Sequence, residues 1–157
     1  MGKSTLAGKL AVELHMVSVD LDEVITLSAG RSIADIFEQE GEEGFRCRES
    51  EALAAASAPE LAAAVIACGG GVVLAPENRR LLTTRTRCVW LMATPASLLA
   101  RLGRDSGRPL LRGDVAGELS ALAAVREPLY REVATAIVDV TDRGEDECVE
   151  LVLAALR

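Results

Sequence analysis

Apolar positions recur at helical spacing near the start of the chain, where Leu6, Leu10, Val12 and Leu14 predict a helix from Gly2 to about Glu13. Lys3, Ser4 and Thr5 fall in its first turn. A short run of β type, Met16 to Val19, follows and ends at Asp20-Leu21-Asp22. The next helix is expected over Asp22 to Leu27, stopped by Ala29-Gly30. Ser32 and Asp35 have capping-box spacing and open a helix through Ile36 and Phe37, and Glu42 to Ala56 reads as a second, alanine-rich one. Ala64 to Cys68 is an apolar run of strand length that leads into Gly69-Gly70-Gly71. Pro76 to Leu82 predicts a helix and Cys88 to Met92 a buried strand, after which Thr94-Pro95 caps and starts a helix over Ala96 to Leu102. Gly103 to Asp114, rich in Gly, Arg and Asp, reads as a long loop. Glu118 to Glu132 is expected to be helical, Ala136 to Val140 a strand, and Glu145 to Leu156 a closing helix.

Strands that alternate with helices point to an α/β fold with a parallel sheet covered on both faces. With 157 residues and no repeat or low-complexity linker, the chain fits one domain, 1–157. Apolar residues make up 50% of it and aromatics only 3%, so the core must be filled by Ala, Val, Leu and Ile.

The net charge of −7 argues against binding a nucleic acid, which needs a dense Lys/Arg surface. It leaves room for a small anion, because a few arginines converging on one pocket can hold it whatever the total charge. Cys47, Cys68, Cys88 and Cys148 form no CxxC pair, and His15 is the only histidine, so a zinc site or disulfide framework is not expected. No apolar run approaches the roughly 20 residues that span a bilayer, and the start lacks the apolar core of a secretory signal. A soluble, cytoplasmic protein without a membrane partner is the expectation.

Gly2-Lys3-Ser4-Thr5 at the head of a helix matches the second half of a Walker A motif. In that motif backbone N–H groups hold phosphates, the Lys places positive charge on the terminal ones, and the Ser hydroxyl ligates Mg²⁺. The motif also needs a glycine five positions before Gly2 and a strand feeding the loop, and only Met1 precedes it. Two explanations are open: a start placed too late in the reading frame, which is the favoured one, or a shortened and inactive chain.

Asp20 and Asp22 are expected to close the next strand. Residues at i and i+2 of a strand point the same way, so both carboxylates would face the crevice where α/β proteins bind ligands. One would lie near a metal and the other would accept a hydroxyl proton; the plainer reading is an N-cap Asp beside a solvated one. Three successive glycines, Gly69 to Gly71, destabilise both helix and strand, so they imply a sharp turn or close approach to a ligand.

The arrangement resembles the shikimate kinase family across essentially the whole chain. The resemblance rests on Gly2-Lys3-Ser4-Thr5, Asp20-Leu21-Asp22, Gly30-Arg31-Ser32-Ile33, Gly44-Phe45-Arg46, Gly69-Gly70-Gly71, Arg108-Pro109-Leu110-Leu111 and Arg126-Glu127-Pro128-Leu129-Tyr130, in the family's order. It implies a P-loop NTPase fold of the nucleoside-monophosphate-kinase type, three layers α/β/α around a parallel sheet whose first strand is missing. A substrate-binding helical segment would span about 33–56 and a lid about 103–114. The implied reaction takes the γ-phosphate of ATP to the 3-hydroxyl of shikimate, giving 3-phosphoshikimate for the chorismate and aromatic amino acid route, with Mg²⁺ required and a monomer expected.

The resemblance also implies site roles. Gly2, Lys3, Ser4 and Thr5 would bind the nucleotide, and Ser4 and Asp20 the metal. Asp22 would bind substrate hydroxyls and act as base, and Arg46, Gly70 and Arg126 would hold shikimate. Arg108 would be the lid arginine on ATP, with Arg101 and Arg143 on the nucleotide side; Lys3 and Arg108 would stabilise the migrating phosphoryl.

The chemistry is consistent: guanidinium forks suit a carboxylate and an Asp suits hydroxyls. A closing loop with Arg104, Arg108 and Arg112 would add positive charge and exclude water. Plainer alternatives are surface pairing of Arg46 with Glu42, Glu43 or Glu49, pairing of Arg126 with Glu127, and Cys68 as a packed apolar residue. Rival functions are another small-molecule P-loop kinase, such as a gluconate kinase, or a non-catalytic shikimate-binding chain.

Overall fold

The computed structural model describes residues 2–60, 63–94, 96–98 and 115–157. The lid expected at 103–114, with Arg104, Arg108 and Arg112, lies outside the described residues, as does Arg101. The elements in order are α1 (Lys3–Leu14), β1 (Val17–Asp20), α2 (Leu21–Ala29), α3 (Ile33–Ala56), β2 (Ala64–Ala67), a 3₁₀ turn (Val72–Leu74), α4 (Pro76–Arg85), β3 (Val89–Met92), α5 (Val115–Val133), β4 (Ala136–Asp139) and α6 (Glu145–Ala155).

Local chemistry sets several boundaries. Gly2 heads α1 at φ 75°, and Gly30 ends α2 at φ 64°, both in the left-handed region that glycine enters without penalty. At the start of α3 the Ser32 hydroxyl accepts from the Asp35 N–H, and the Asp35 carboxylate accepts from the Ser32 N–H, each at 3.2 Å. The two helices expected over 33–56 form one element broken at Gly41, whose φ is 72° and ψ −173°. The Glu40 side chain crosses that break to accept from Arg31 and Arg48, and it occupies the space a Cβ at Gly44 would need.

The strands pair as parallel ladders. β1 runs beside β2 from Val17↔Ala64 to Asp20↔Ala67, and β3 beside β4 from Val89↔Ala136 to Met92↔Asp139. In place of one continuous sheet the described residues thus form two two-stranded sheets, with no ladder joining β2 to β3. A cavity of about 1580 Å³ lies between these inner strands, walled by Val65 and Ile66 on one side, Val89 and Leu91 on the other, and Leu6 and Leu10 of α1. The family resemblance implied a parallel sheet without its first strand, and a gap inside the strand layer is in keeping with that expectation, although hydrophobic pattern alone does not say which edges meet.

Alternation along the strands sorts the core to two faces. On β2, Val65 packs with Leu6, Leu10, Val138, Val149 and Val152, whereas its neighbour Ile66 packs with the opposite cluster of Leu21, Ile25, Ile36, Phe45 and Leu53. Leu21, Ile25, Ile36 and Leu53 are fully enclosed, and each contributes about 1.5–3 kcal/mol by leaving water. Helices therefore cover both faces of the strand layer, as the alternating order requires.

Candidate active site

The register of β1 on β2 assembles the site. Because Asp20 pairs with Ala67, the chain leaving β1 and the glycine run leaving β2 emerge side by side at the same end of the layer. Asp20 is the last residue of β1 and the N-cap of α2: its Oδ1 accepts from the Asp22 N–H at 2.9 Å. This corrects the sequence expectation that Asp20 and Asp22 share a strand. Asp22 lies in the first turn of α2, and the two carboxylates are brought together by the cap, because the capping bond bends the backbone immediately after Asp20. The other oxygen of Asp20 accepts from the Ser4 hydroxyl at the head of α1. A hydroxyl and a carboxylate in direct contact are hard oxygen donors of the kind Mg²⁺ takes, so these residues fit that ion.

The three glycines each face a different charged group. A Cβ at Gly69 would lie 3.0 Å from Glu49 Oε1 and 3.8 Å from Asp22 Oδ1; at Gly70 it would lie 3.1 Å from the Tyr130 hydroxyl and 3.5 Å from Arg126 Nη1; at Gly71 it would overlap the Arg46 guanidinium. Asp22, Arg46, Gly70 and Arg126, widely spaced in sequence, thus meet around one turn. Lys3, Gly70 and Arg126 line the same cavity that separates β2 from β3, whereas Asp22 and Arg46 do not. Small-molecule sites usually occupy about 300–1,000 Å³, so the 1580 Å³ cavity exceeds what one such ligand fills.

Arg46 does make the helix-surface pairs that sequence allowed, with Glu42 at 3.3 Å and Glu49 at 2.7 Å, but Glu49 is only 1% exposed, so the second pair faces inward. Burial opposes the Arg46 charge, yet bonds to Glu49 and Glu42 outweigh it and hold the guanidinium more firmly protonated than usual. On Glu49 burial wins over Arg46 and pushes the carboxyl above its ordinary range. Arg46 also lies over the Phe45 ring at 5.2 Å. The alternative pairing of Arg126 with Glu127 does not occur, since Glu127 takes Arg131 at 2.8 Å.

Gly2 and Thr5 sit with Lys3 and Ser4 at the exposed head of α1. Arg143 pairs with Glu147 on α6. The four cysteines are free; burial pushes the Cys68 thiol up to about 12, in keeping with a packing role. Among the described residues no group of His, Cys, Asp and Glu is arranged to hold a metal by itself, and no helix is long and apolar enough to cross a membrane.

Two participants carried little sequence signal. Glu49 figured only as a surface partner of Arg46, because nothing in an acidic helix marks which carboxylate is buried. Tyr130 figured only as part of a motif; its hydroxyl donates to the Gly70 carbonyl at 2.6 Å. A buried-side tyrosine ending an apolar helix face and requiring a polar partner would have been the clue.

Comparison with known proteins agrees along the whole chain. The family model described as shikimate kinase matches residues 1–157. A shikimate kinase of Rhodopirellula baltica is 46% identical over 160 residues, covering 98% of this chain and 84% of the relative. One from Marinomonas is 39% identical over 157 residues, covering 99% and 86%. Among solved structures, shikimate kinase from Acinetobacter baumannii in complex with shikimate superposes with a TM-score of 0.88 at 35% identity, over 99% of this chain and 86% of that one. The enzyme from Aquifex aeolicus gives 0.84 at 31% identity, over 99% and 89%.

Proposed function

The chain belongs to the shikimate kinase family, an ATP-dependent phosphotransferase of the shikimate pathway with the P-loop α/β fold, and we propose that the cleft around Gly69 to Gly71 is where it moves the γ-phosphate of ATP to the 3-hydroxyl of shikimate. The observation that carries this is the set of three consecutive glycines that lie beside Glu49 and Asp22, beside Tyr130 and Arg126, and against Arg46 respectively. Two guanidinium groups suit the substrate carboxylate and one carboxylate suits its hydroxyls.

In this reading Arg46 and Arg126 hold the carboxylate, and the Gly70 backbone approaches the ring where a side chain would collide. Asp22, exposed at the start of α2, orients the 3-hydroxyl and takes its proton as the phosphoryl arrives. Lys3, with Gly2 and Thr5 at the positive end of α1, neutralises the phosphates. Ser4 and Asp20 would hold Mg²⁺, which would supply positive charge to offset that of the phosphates. Arg108 of the 103–114 lid, with Arg101 and Arg143 on the nucleotide side, is assigned from the family pattern alone. A monomer and a cytoplasmic location are likewise assigned from the family pattern alone.

The experiment is shikimate-dependent ADP release, with calorimetric titration of ATP and of shikimate separately. Asp22→Asn is expected to lower kcat by roughly 10²–10⁴ with an unchanged circular dichroism spectrum; near-normal turnover would reject the base. Arg46→Ala and Arg126→Ala are expected to raise KM for shikimate, and indifference to both would favour a kinase for another small molecule.

A further inference from the structure

The backbone of the glycine turn has an unusual hydrogen-bond account. Six successive carbonyls, Gly69 to Leu74, all accept within the protein. Gly69 accepts from the Val72 N–H at 3.2 Å and Gly71 from the Leu74 N–H at 2.9 Å. The rest are taken by side chains: Gly70 by the Tyr130 hydroxyl at 2.6 Å, Val72 by Asn78 Nδ2 at 3.0 Å, and Val73 and Leu74 by Arg79 Nη1 at 2.9 and 3.2 Å. Asn78 is 1% exposed, and Arg79 is itself fixed by Glu132 at 3.0 Å, two residues beyond Tyr130 on α5. An acceptor left pointing into the cleft would repel an incoming anion, whereas a turn whose acceptors are all engaged offers only donors and the arginines beside it.

We propose that Tyr130 is a positioning residue for anion recognition: by holding the Gly70 carbonyl away from the cleft, it makes the glycine turn fit for the substrate carboxylate, with Asn78 and Arg79 doing the same for the carbonyls that follow. This rests on the reading of the cleft as the shikimate site. The peptide unit is planar and trans, so fixing the Gly70 carbonyl also fixes the direction of the Gly71 N–H on its opposite side. Tyr130 stands one helical turn from Arg126 on the same face of α5, and its oxygen also interacts with the Arg126 side chain. One hydroxyl therefore sets both the glycine peptide and the guanidinium beside it. Burial raises the Tyr130 pKa, which keeps the hydroxyl protonated as a donor.

The ring itself also packs, stacked on Trp90 with centroids 5.4 Å apart. Tyr130→Phe keeps that stack and removes only the hydroxyl, so it separates positioning from packing. Calorimetric titration without nucleotide is expected to show shikimate binding weakened roughly three- to tenfold, the size of one lost hydrogen bond. Affinity for shikimate methyl ester, which lacks the carboxylate charge, is expected to stay within about twofold of the unaltered protein. Arg79→Lys keeps the charge but loses the fork that engages Glu132 through Nε and the two carbonyls through Nη1 at once, and is expected to weaken shikimate binding roughly two- to fivefold. If the unaltered protein binds shikimate and both variants bind it equally well, or if acid and ester weaken alike, the positioning role is overturned. Failure of the unaltered protein to bind shikimate would instead overturn the functional reading beneath it.

Discussion

Arg46 fills the space that a side chain at Gly71 would need: a methyl group there would overlap its guanidinium carbon and both terminal nitrogens. The backbone at Gly71 is ordinary, with φ −90° and ψ −8°, so alanine is excluded by Arg46 and not by conformation. Gly71→Ala should therefore leave thermal stability within about 1 kcal/mol of the parent. Displacing the guanidinium should raise KM for shikimate about tenfold, equivalent to about 1.4 kcal/mol. Steady-state kinetics beside a melting curve checks both halves, and an unchanged KM would show that Arg46 need not lie where it does.

Asp20 has two duties, capping α2 and contacting Ser4. Asp20→Ala should lose about 1 kcal/mol through the cap, lowering Tm by about 2–4 °C. Asp20→Asn caps equally well and should melt near the parent, yet lose Mg²⁺-dependent nucleotide binding. Parallel melts and calorimetry with and without Mg²⁺ distinguish the duties; if Asp20→Asn binds nucleotide normally, the metal role fails.

Glu49 predicts a pH effect of definite sign. Its carboxyl is raised by burial, so the folded protein holds this proton more tightly than the unfolded chain does. Its contribution to stability is fully present below the unfolded value of about 4.3 and is lost as pH rises through the higher folded value. Glu49→Gln carries no such proton, so the stability difference between variant and parent should shift in the variant's favour over that interval and then level off. Urea denaturation of both proteins from pH 4 upward tests it, and parallel curves would contradict the buried-acid account.

Thiol chemistry offers a test of packing. Cys47 is exposed, Cys148 is buried, and burial raises Cys88 and takes Cys68 to about 12. Iodoacetamide at pH 8 should alkylate Cys47 in the folded protein and the other three only after unfolding. Mass spectrometry of labelled peptides reads the result, and rapid native labelling of Cys68 would mean that the junction of β2 with the glycine turn is more open than described.

Much of this was legible because it is local. The capping box at Ser32, the stop at Gly30 and the strand at Ala64 follow from bonds or packing preferences within a few residues, and the structure has all three. The break at Gly41 separates the two helices expected over 33–56. The arginine and glycine cluster was recognisable through the family resemblance, since chemistry alone left Arg46 and Arg126 equally open to surface pairing. What stayed hidden depends on distant partners: that the Asp20 cap and not a shared strand brings the two carboxylates together, that Glu49 is the buried carboxylate among many exposed ones, and that Tyr130 reaches the Gly70 carbonyl. None of these leaves a periodicity, since each is decided by what approaches from elsewhere in the chain.

The separation of the two strand pairs has a consequence for how the molecule comes apart. Among the described residues no ladder carries load from β2 to β3, and helices do so instead. On one face α1 does this, packing on β1 and β2 while Leu6 and Leu10 join Val138 and Val152 and Lys9 reaches Asp146 at 2.7 Å. On the other, α5 reaches the glycine turn through Tyr130 and β3 through Trp90. Cooperativity between the two pairs therefore resides in side-chain contacts of two helices: loosening either would split one melting transition into two, beginning at the seam between β2 and β3.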